Sequence, residues 1–168
     1  MSPEEFDAFY AASVDRVTGQ IYLLTGDRAE AQDAVQDAFV KAWDRRGELE
    51  TTSFPEAWVR TVAYRMAVSR WRRARRAMLA YQRHGVPGEV GAPSPETVAL
   101  TQALRRIPEP QRRAIVLHHL CDLPVDQVAA EVGSPVGTVK ARLARGRAAL
   151  AELLTDTSDG AGQEETDG

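Results

Sequence analysis

Apolar residues recur every three or four positions in the first part of the chain. From Phe6 to Leu24 this spacing predicts one amphipathic helix with a buried stripe. Thr25-Gly26-Asp27 interrupts the pattern, and Asp27 with Glu30 three residues later predicts a capping box at the start of a second helix. The predicted inward stripe of that helix consists of Ala31, Val35, Ala38, Phe39 and Trp43. Residues 45–53 carry no periodicity and predict a loop.

Pro55 predicts the first turn of a third helix, whose apolar side consists of Trp58, Val59, Val62 and Met66. Beyond Val68, arginines occur on every side of this helix, so it is expected to run past its core. Three prolines and three glycines between residues 84 and 95 predict a linker.

Helical spacing returns at Val98 and predicts further helices over 98–107, 112–120, 125–132 and 136 to about 154. No alternating strand pattern occurs, so the predicted fold class is all-α, with two small helical domains joined by a flexible linker. We expect the first domain over 1–80, the linker over 81–97, the second domain over 98–154 and a disordered acidic tail over 155–168.

The composition indicates a soluble globular protein and excludes sites that need two cysteines. The 168 residues are 43% hydrophobic and 27% charged, which is typical of a soluble globular protein. Cys121 is the only cysteine, which excludes an internal disulfide and any zinc site that needs two cysteines. The acidic N-terminus resembles no secretion signal, and no apolar run approaches a membrane span. We therefore expect a cytoplasmic protein without membrane contact.

The net charge of −3 conceals strong segregation of charge along the chain. Residues 1–54 carry a net charge of −6, whereas residues 55–76 carry seven arginines and one glutamate. Residues 105–150 carry a net charge of +4, and the tail from residue 151 carries six acidic residues and no basic one. Two basic blocks indicate two anion-binding surfaces, although solvated helix faces would give the same pattern.

Residues 123–142 have the pattern of a helix-turn-helix. Gly133 suits the tight turn, Ser134 can cap the next helix, and Pro135 suits its first position. The predicted inward residues of the second helix are Val136, Val139 and Leu143. The predicted outward residues are Thr138, Ala141, Arg142 and Arg145, with Lys140 at the edge of the apolar stripe. Small, hydroxyl and basic residues on an exposed helix face favour docking in the major groove of DNA.

His118, His119 and Cys121 are candidate metal ligands by residue type. Adjacent helical residues point about 100° apart, so the two histidines do not share one ligand face. We therefore predict no metal site and no cofactor, and a phosphate contact from His118 stays open.

The second and third helices each allow two interpretations. Asp33, Asp37, Val40 and Asp44 lie on the outward side of the second helix with Gln36 beside them, and this side is either a solvated face or a protein-docking surface. Tyr64 and Trp71 alternate with arginines on the third helix, a pattern that suits single-stranded DNA, while Trp58 is expected in the core.

Four stretches together resemble one protein family, the bacterial extracytoplasmic-function sigma factors, and more narrowly its SigE-like actinobacterial type. The first, from Leu24 to Trp43, resembles the polymerase-docking helix, and the stretch from Phe54 to Ala63 resembles the promoter-melting region. Leu104 to Arg112 and Gly137 to Arg147 resemble the second conserved domain. The resemblance covers residues 5–154 in the family's order and spacing.

This resemblance implies a dissociable initiation subunit of RNA polymerase, with three sets of site residues. The set that docks on the clamp of the largest polymerase subunit is Asp33, Gln36, Asp37, Val40 and Trp43. The set that binds the minus-ten element, with base capture by the loop over 47–54, is Glu48, Thr51, Thr52, Phe54, Arg60, Tyr64, Arg65, Arg72 and Arg73. The set that binds the minus-thirty-five element is His118, Ser134, Thr138, Lys140, Ala141, Arg142 and Arg145.

The implied partners are core RNA polymerase, including the flap of its second-largest subunit, promoter DNA and an anti-sigma factor. Arg65 and Ser69 stand where the family often has Asn and Asp, and Gln127 stands where it usually has Glu. Two other classes stay open: a helix-turn-helix regulator that acts on duplex DNA without polymerase, and a protein-only decoy or antagonist. An enzyme is not expected, because the sequence contains neither a phosphate-cradling glycine loop nor a nucleophile–base pairing in recognisable context.

Overall fold

The computed structural model describes residues 1–78 and 93–160, and all regular secondary structure in those ranges is helical. The prediction of an all-α fold is therefore confirmed for this part of the chain. The helices are α1 Pro3–Thr25, α2 Arg28–Asp44, α3 Arg46–Leu49, α4 Pro55–Met78, α5 Pro95–Arg105, α6 Glu109–Ile115, α7 Val125–Val132 and α8 Val136–Gly160, with a π-helical turn at Val116–Leu120 between α6 and α7. None of the helices in the described ranges has the length and apolarity to cross a membrane.

The contacts divide the chain into two units, Met1–Pro93 and Ser94–Gly168. In the first unit α1, α2 and α4 pack on one another around fully buried aliphatic residues, which include Val17, Ile21, Val35 and Val59. The Arg60 guanidinium is buried in this core and donates a hydrogen bond to Gln20 Oε1 at 3.1 Å. A buried charge needs such a partner, so α1 and α4 are fixed relative to each other at this point.

The caps of the first two helices follow the sequence closely. Gly26 adopts the left-handed conformation at φ 73° and ends α1, as the interruption at residues 25–27 predicts. Asp27 Oδ1 accepts from the Glu30 backbone N–H at 3.0 Å, but the Glu30 carboxylate pairs with Arg70 instead of completing the box. A complete capping box occurs at the start of α1, where Ser2 and Glu5 bond reciprocally.

Two predictions in the first unit are wrong besides the capping box of Asp27 and Glu30. The predicted loop over 45–53 contains the short helix α3, because Leu49 is buried at 2% exposure and draws the segment onto the core. Trp43 lies at the rim of the predicted inward stripe, since 37% of the residue is exposed.

In the second unit α6 and α8 cross closely, and α5 and α7 pack on α8. Gly146 of α8 is buried at the crossing, where a Cβ would lie 2.9 Å from Ile115 Cγ1. The core around it includes Leu104, Leu117 and Val139. Only a residue without a side chain allows α8 to approach α6 this closely.

The predicted helix over 112–120 is α6 followed by the π-helical turn, in which the Cys121 N–H donates to the Val116 carbonyl at 2.9 Å. Asp122 then adopts the left-handed conformation at φ 55° and the chain turns into α7. Gly133 has φ 69°, as expected for the turn between the helices of a helix-turn-helix. Val136 is 40% exposed, so the prediction that it faces inward is wrong; it belongs to the first turn of α8, ahead of the buried crossing.

The ends of the second unit extend beyond the predicted limits. Helix α5 begins at Pro95 instead of Val98, because the Ser94 side chain accepts from the Thr97 N–H. Helix α8 continues to Gly160, so the prediction of disorder is wrong for residues 155–160. Residues 150–159 contain neither glycine nor proline, and no residue there stops the helix. The rest of the predicted linker and tail, residues 81–92 and 161–168, lies outside the described residues.

Candidate functional site

One face of α2 presents apolar and polar side chains to solvent. We call this face the α2 surface; its exposed residues are Asp33, Gln36, Val40 and Trp43. Val40 is 63% exposed and Trp43 is 37% exposed, so the last turns of α2 present two large apolar side chains to solvent. An apolar side chain flanked by polar ones is typical of a protein-docking surface.

Trp43 is held at the end of the α2 surface from two sides. Its ring packs edge-on against Phe6, with 5.2 Å between the ring centroids. The Arg46 guanidinium lies over the same ring, 4.3 Å from the centroid. These contacts orient the indole while part of it stays open to a partner.

Asp37 is half-buried and has an ion-pair partner within the first unit. The Arg70 guanidinium of α4 forms an ion pair with the Asp37 carboxylate, and its other Nη lies 3.4 Å from Glu30 Oε1. Burial raises the pKa of the Glu30 carboxyl, and the attraction of Arg70 opposes that rise. Gln36 also has an internal partner, because its side-chain amide exchanges hydrogen bonds with the Tyr10 hydroxyl at 3.0–3.2 Å.

Helix α3 and the segment between it and α4 present four predicted site residues to solvent, which are Glu48, Thr51, Thr52 and Phe54. The Thr51 hydroxyl donates to the Glu48 carbonyl at 2.8 Å and stabilises the turn. Phe54 is 55% exposed, so an aromatic ring is available immediately before α4. Such a ring can stack on an unpaired base.

Of the predicted site residues on α4, Arg65, Arg72 and Arg73 are exposed. Arg60 and Tyr64 are buried at 4% and 8% exposure. The prediction that these two bind DNA is therefore not supported, because they belong to the side of α4 that packs on the core. Trp58 is half-buried and lies at the edge of the core, whereas Trp71 is 52% exposed and stacks with Arg75 at 5.2 Å.

An open groove of about 710 Å³ lies between the end of α2 and one face of α4. The lining residues are Lys41, Asp44, Arg45, Trp58, Val62, Arg65, Met66, Ser69, Arg70 and Arg73. The members from α4 recur along the helix every three or four residues, with Arg65 and Met66 and then Ser69 and Arg70 as adjacent pairs, and so share one face of the helix. Five lining residues are cationic and one is acidic, so the groove attracts anions.

In the second unit α8 follows the Gly133 turn and presents a basic face. Its exposed residues include four of the predicted site residues, Thr138, Lys140, Ala141 and Arg145. Arg142 is half-buried and donates from Nη1 to Ser134 Oγ at 3.1 Å, so Ser134 orients this arginine. The arrangement is that of a recognition helix with its first turns free to enter a groove of DNA.

His118 is placed as a structural residue of the turn. Its Nδ1 lies 2.8 Å from the Leu123 carbonyl oxygen, which fixes the turn before α7. His119 is exposed, and its Nε2 lies 3.3 Å from Arg147 Nη1. Burial lowers the pKa of His119, and the neighbouring His118 and Arg147 lower it further. The described residues contain no group of three or more His, Cys, Asp or Glu side chains that could hold a metal ion.

Comparisons with known proteins bear on both units. Residues 9–77 match the family model for sigma-70 region 2, and residues 97–150 match the model for sigma-70, region 4. The ECF RNA polymerase sigma factor SigL of Mycobacterium tuberculosis is 32% identical over 128 residues, which cover 71% of this chain and 72% of SigL. This chain belongs to the ECF RNA polymerase sigma factors.

Two further relatives of this ECF sigma factor bear on its extent and fold. SigM of Mycobacterium tuberculosis is 32% identical over 126 residues, which cover 74% of this chain and 64% of SigM, so the chain spans less than two thirds of that relative's length. The sigma factor RpoE of Bartonella quintana, crystallised with the anti-sigma factor NepR, has a TM-score of 0.76 and 25% identity, with 90% of this chain and 98% of that chain covered.

The groove and its inner ion pairs are absent from the sequence predictions. Lys41, Asp44 and Arg45 could have been placed near α4 only by knowing how α2 packs on it. The spacing of Trp58, Val62, Arg65, Ser69 and Arg73 is the signal in the sequence that could have shown a shared face.

Proposed function

We propose that this ECF sigma factor binds core RNA polymerase through the α2 surface and directs promoter-specific initiation through its two basic surfaces. The observation that carries the proposal is the exposed Val40 on α2, flanked by polar side chains and the rim of Trp43. A regulator that acts on duplex DNA alone has no need for such a surface beside its DNA-binding faces.

The proposed contact with polymerase is the clamp of its largest subunit. Asp33, Val40 and Trp43 offer a negative charge, an apolar side chain and an aromatic edge on one helix face. Asp37 contributes differently, because Arg70 already neutralises its carboxylate. We therefore expect the loss of Val40 or Trp43 to weaken docking more than the loss of Asp37 does.

The proposed contact with the minus-ten element combines the segment before α4 with the arginines of α4. Phe54 supplies a ring for an unpaired base, and Glu48, Thr51 and Thr52 are exposed in the same part of the chain. Arg72 and Arg73 neutralise phosphates, and Arg65 contacts the bases of the strand. Arg60 and Tyr64 support the fold beneath this surface and are not part of the contact.

The proposed contact with the minus-thirty-five element is the exposed face of α8. Thr138, Lys140, Ala141 and Arg145 face the DNA, and Ser134 acts through Arg142. His118 lies in the turn before α7, with only one ring nitrogen left for a phosphate. The flap of the second-largest polymerase subunit is the further proposed contact of this unit.

We also propose regulation by an anti-sigma factor, since the related RpoE was crystallised with one. The proposed role is binding without catalysis, it requires no cofactor, and it places the protein with the polymerase in the cytoplasm. Membership of the SigE-like actinobacterial type within the family stays a prediction.

Run-off transcription tests the proposal, with core polymerase and sheared DNA from the source organism, with and without this protein. We expect new discrete transcripts that depend on the protein. Val40→Asp should abolish them along with binding to core, whereas Asp15→Ala, which removes an exposed acid from α1, should not. Core binding without transcripts would favour the decoy, and duplex DNA binding without core binding would favour the plain regulator.

A further inference from the structure

The groove between α2 and α4 combines a single carboxylate with several cations. Asp44 is the only acidic residue among its lining residues, beside five lysine or arginine side chains. A site for phosphate alone gains nothing from a carboxylate, because like charges repel. The position of Asp44 therefore calls for a ligand that also donates hydrogen bonds.

Some cations of the groove already have partners inside the unit. Arg70 is paired with Asp37 and Glu30, and Arg73 Nη2 donates to Ser69 Oγ at 3.2 Å. The side chains of Lys41, Asp44, Arg45 and Arg65 are exposed, and none of the four makes a hydrogen bond or ion pair with another described residue. Of the three cations among them, Arg65 is the one on α4, the helix that carries the apolar lining residues. Their side chains are free to meet a ligand in the groove.

A guanine base carries the matching set of groups. Its N1–H and N2–H₂ donate on one edge, and its O6 and N7 accept on another. A carboxylate can accept from the first edge, and an arginine can donate two parallel hydrogen bonds to the second. Trp58, Val62 and Met66 supply apolar surface in the same groove for the flat face of a base.

We propose that this groove selects a guanine base, and that Asp44 and Arg65 distinguish guanine from the other bases. The inference rests on the proposed function. It extends that function because the groove is a second place for a base, and none of the residues of the 46–54 segment lines it. The guanine belongs either to a single DNA strand or to a free guanine nucleotide, since both present the same edges.

Fluorescence anisotropy with the full-length chain tests this selectivity. The probes are labelled oligothymidylates that carry one central guanine, adenine, cytosine, inosine or 7-deazaguanine. We expect guanine to bind about tenfold more tightly than adenine or cytosine, because a bidentate contact discriminates on that scale. Inosine lacks N2–H₂ and 7-deazaguanine lacks N7, so each should lose part of the advantage.

Variants of the exposed groove residues separate base selection from charge. Asp44→Ala and Arg65→Lys should each remove the preference for guanine, although Arg65→Lys keeps the positive charge. The control is Arg76→Ala, which removes one positive charge from α4. Arg76 is exposed and lies outside the groove. This variant should weaken binding of all probes equally and leave the preference intact.

Competition with GMP and AMP identifies the source of the guanine. Displacement of the guanine probe by GMP at concentrations where AMP has no effect would indicate a free nucleotide, and its absence would indicate a DNA strand. Equal binding of all probes, a preference for cytosine, or a guanine preference that survives both groove variants would overturn the inference. Run-off transcription with the same preparation shows separately whether the proposed function holds.

Discussion

The close crossing of α6 and α8 makes Gly146 a sensitive position in the second unit. In Gly146→Ala the added Cβ would lie 2.9 Å from Ile115 Cγ1 and 3.3 Å from its Cδ1. Ile115 is buried and branched at Cβ, so it has little freedom to move away. Overpacking costs about 1–3 kcal/mol, and alanine returns about 1 kcal/mol of helix propensity. We expect a net loss of about 1 kcal/mol in the free energy of unfolding.

The tryptophans allow each unit to be followed separately during urea unfolding. All three, Trp43, Trp58 and Trp71, belong to the first unit, so their fluorescence reports its unfolding, while far-UV circular dichroism reports both units. Gly146→Ala should lower the midpoint of a dichroism transition and leave the fluorescence transition unchanged.

Gly19→Ala is the matched control, because no atom lies within 4 Å of the added Cβ in the middle of α1. It should raise the fluorescence midpoint by stabilising the first unit by about 1 kcal/mol. A stabilising effect of Gly146→Ala equal to that of Gly19→Ala would refute the argument, since α8 could not then lie so close to Ile115.

Three further predictions follow from single contacts. Arg145→Ala should weaken binding of a cognate minus-thirty-five duplex by about 1–3 kcal/mol, whereas unchanged affinity would exclude the proposed face of α8. Gln20→Ala removes a hydrogen-bond partner of the buried Arg60. The free energy of unfolding of the first unit, followed by fluorescence, should therefore fall by about 1–3 kcal/mol. A change confined to the dichroism transition would contradict this. The lowered pKa of His119 means that the folded state binds its proton less tightly than the unfolded state does, so stability should fall as the pH drops below the ordinary value of 6.5. His119→Gln should flatten that dependence in urea titrations at several pH values, and an unchanged slope would show that His119 does not contribute.

Local signals in the sequence predicted most helices, because caps and apolar spacing act within a few residues of the chain. Asp27, Gly26 and Gly133 behave as their residue types and positions predict. Where the limits in the first unit were wrong, the cause was a weak local signal that packing or pairing overrode. Leu49 draws the segment before α4 onto the core. The early start of α5 has a different cause, because the Ser94 cap is a local signal that apolar spacing does not register.

The site was harder to predict because it depends on which face of α4 is buried. Arg60 and Arg65 are both arginines on one helix, but the packing of α4 on the core buries Arg60, which bonds to Gln20 of α1, and leaves Arg65 exposed. Asp37 and Asp33 likewise look equivalent along α2, yet Arg70 neutralises the first and leaves the second in solvent. Contacts between helices far apart in the sequence decide these roles, and no periodicity within one helix reveals them.

Helix α4 joins the proposed docking surface to the groove. Arg70 pairs with Asp37 of α2 and also lines the groove, while Arg65 and Arg73 lie on the groove face of the same helix. Because α2 and α4 share a close-packed core, the distance from the α2 surface to the groove is set by the fold and not by a flexible loop. A polymerase docked on Val40 and Trp43 would therefore hold the groove in one place relative to its own DNA channel. This is the property that an initiation factor needs in order to present the same strand contacts at every promoter, and a loop-borne site would not provide it.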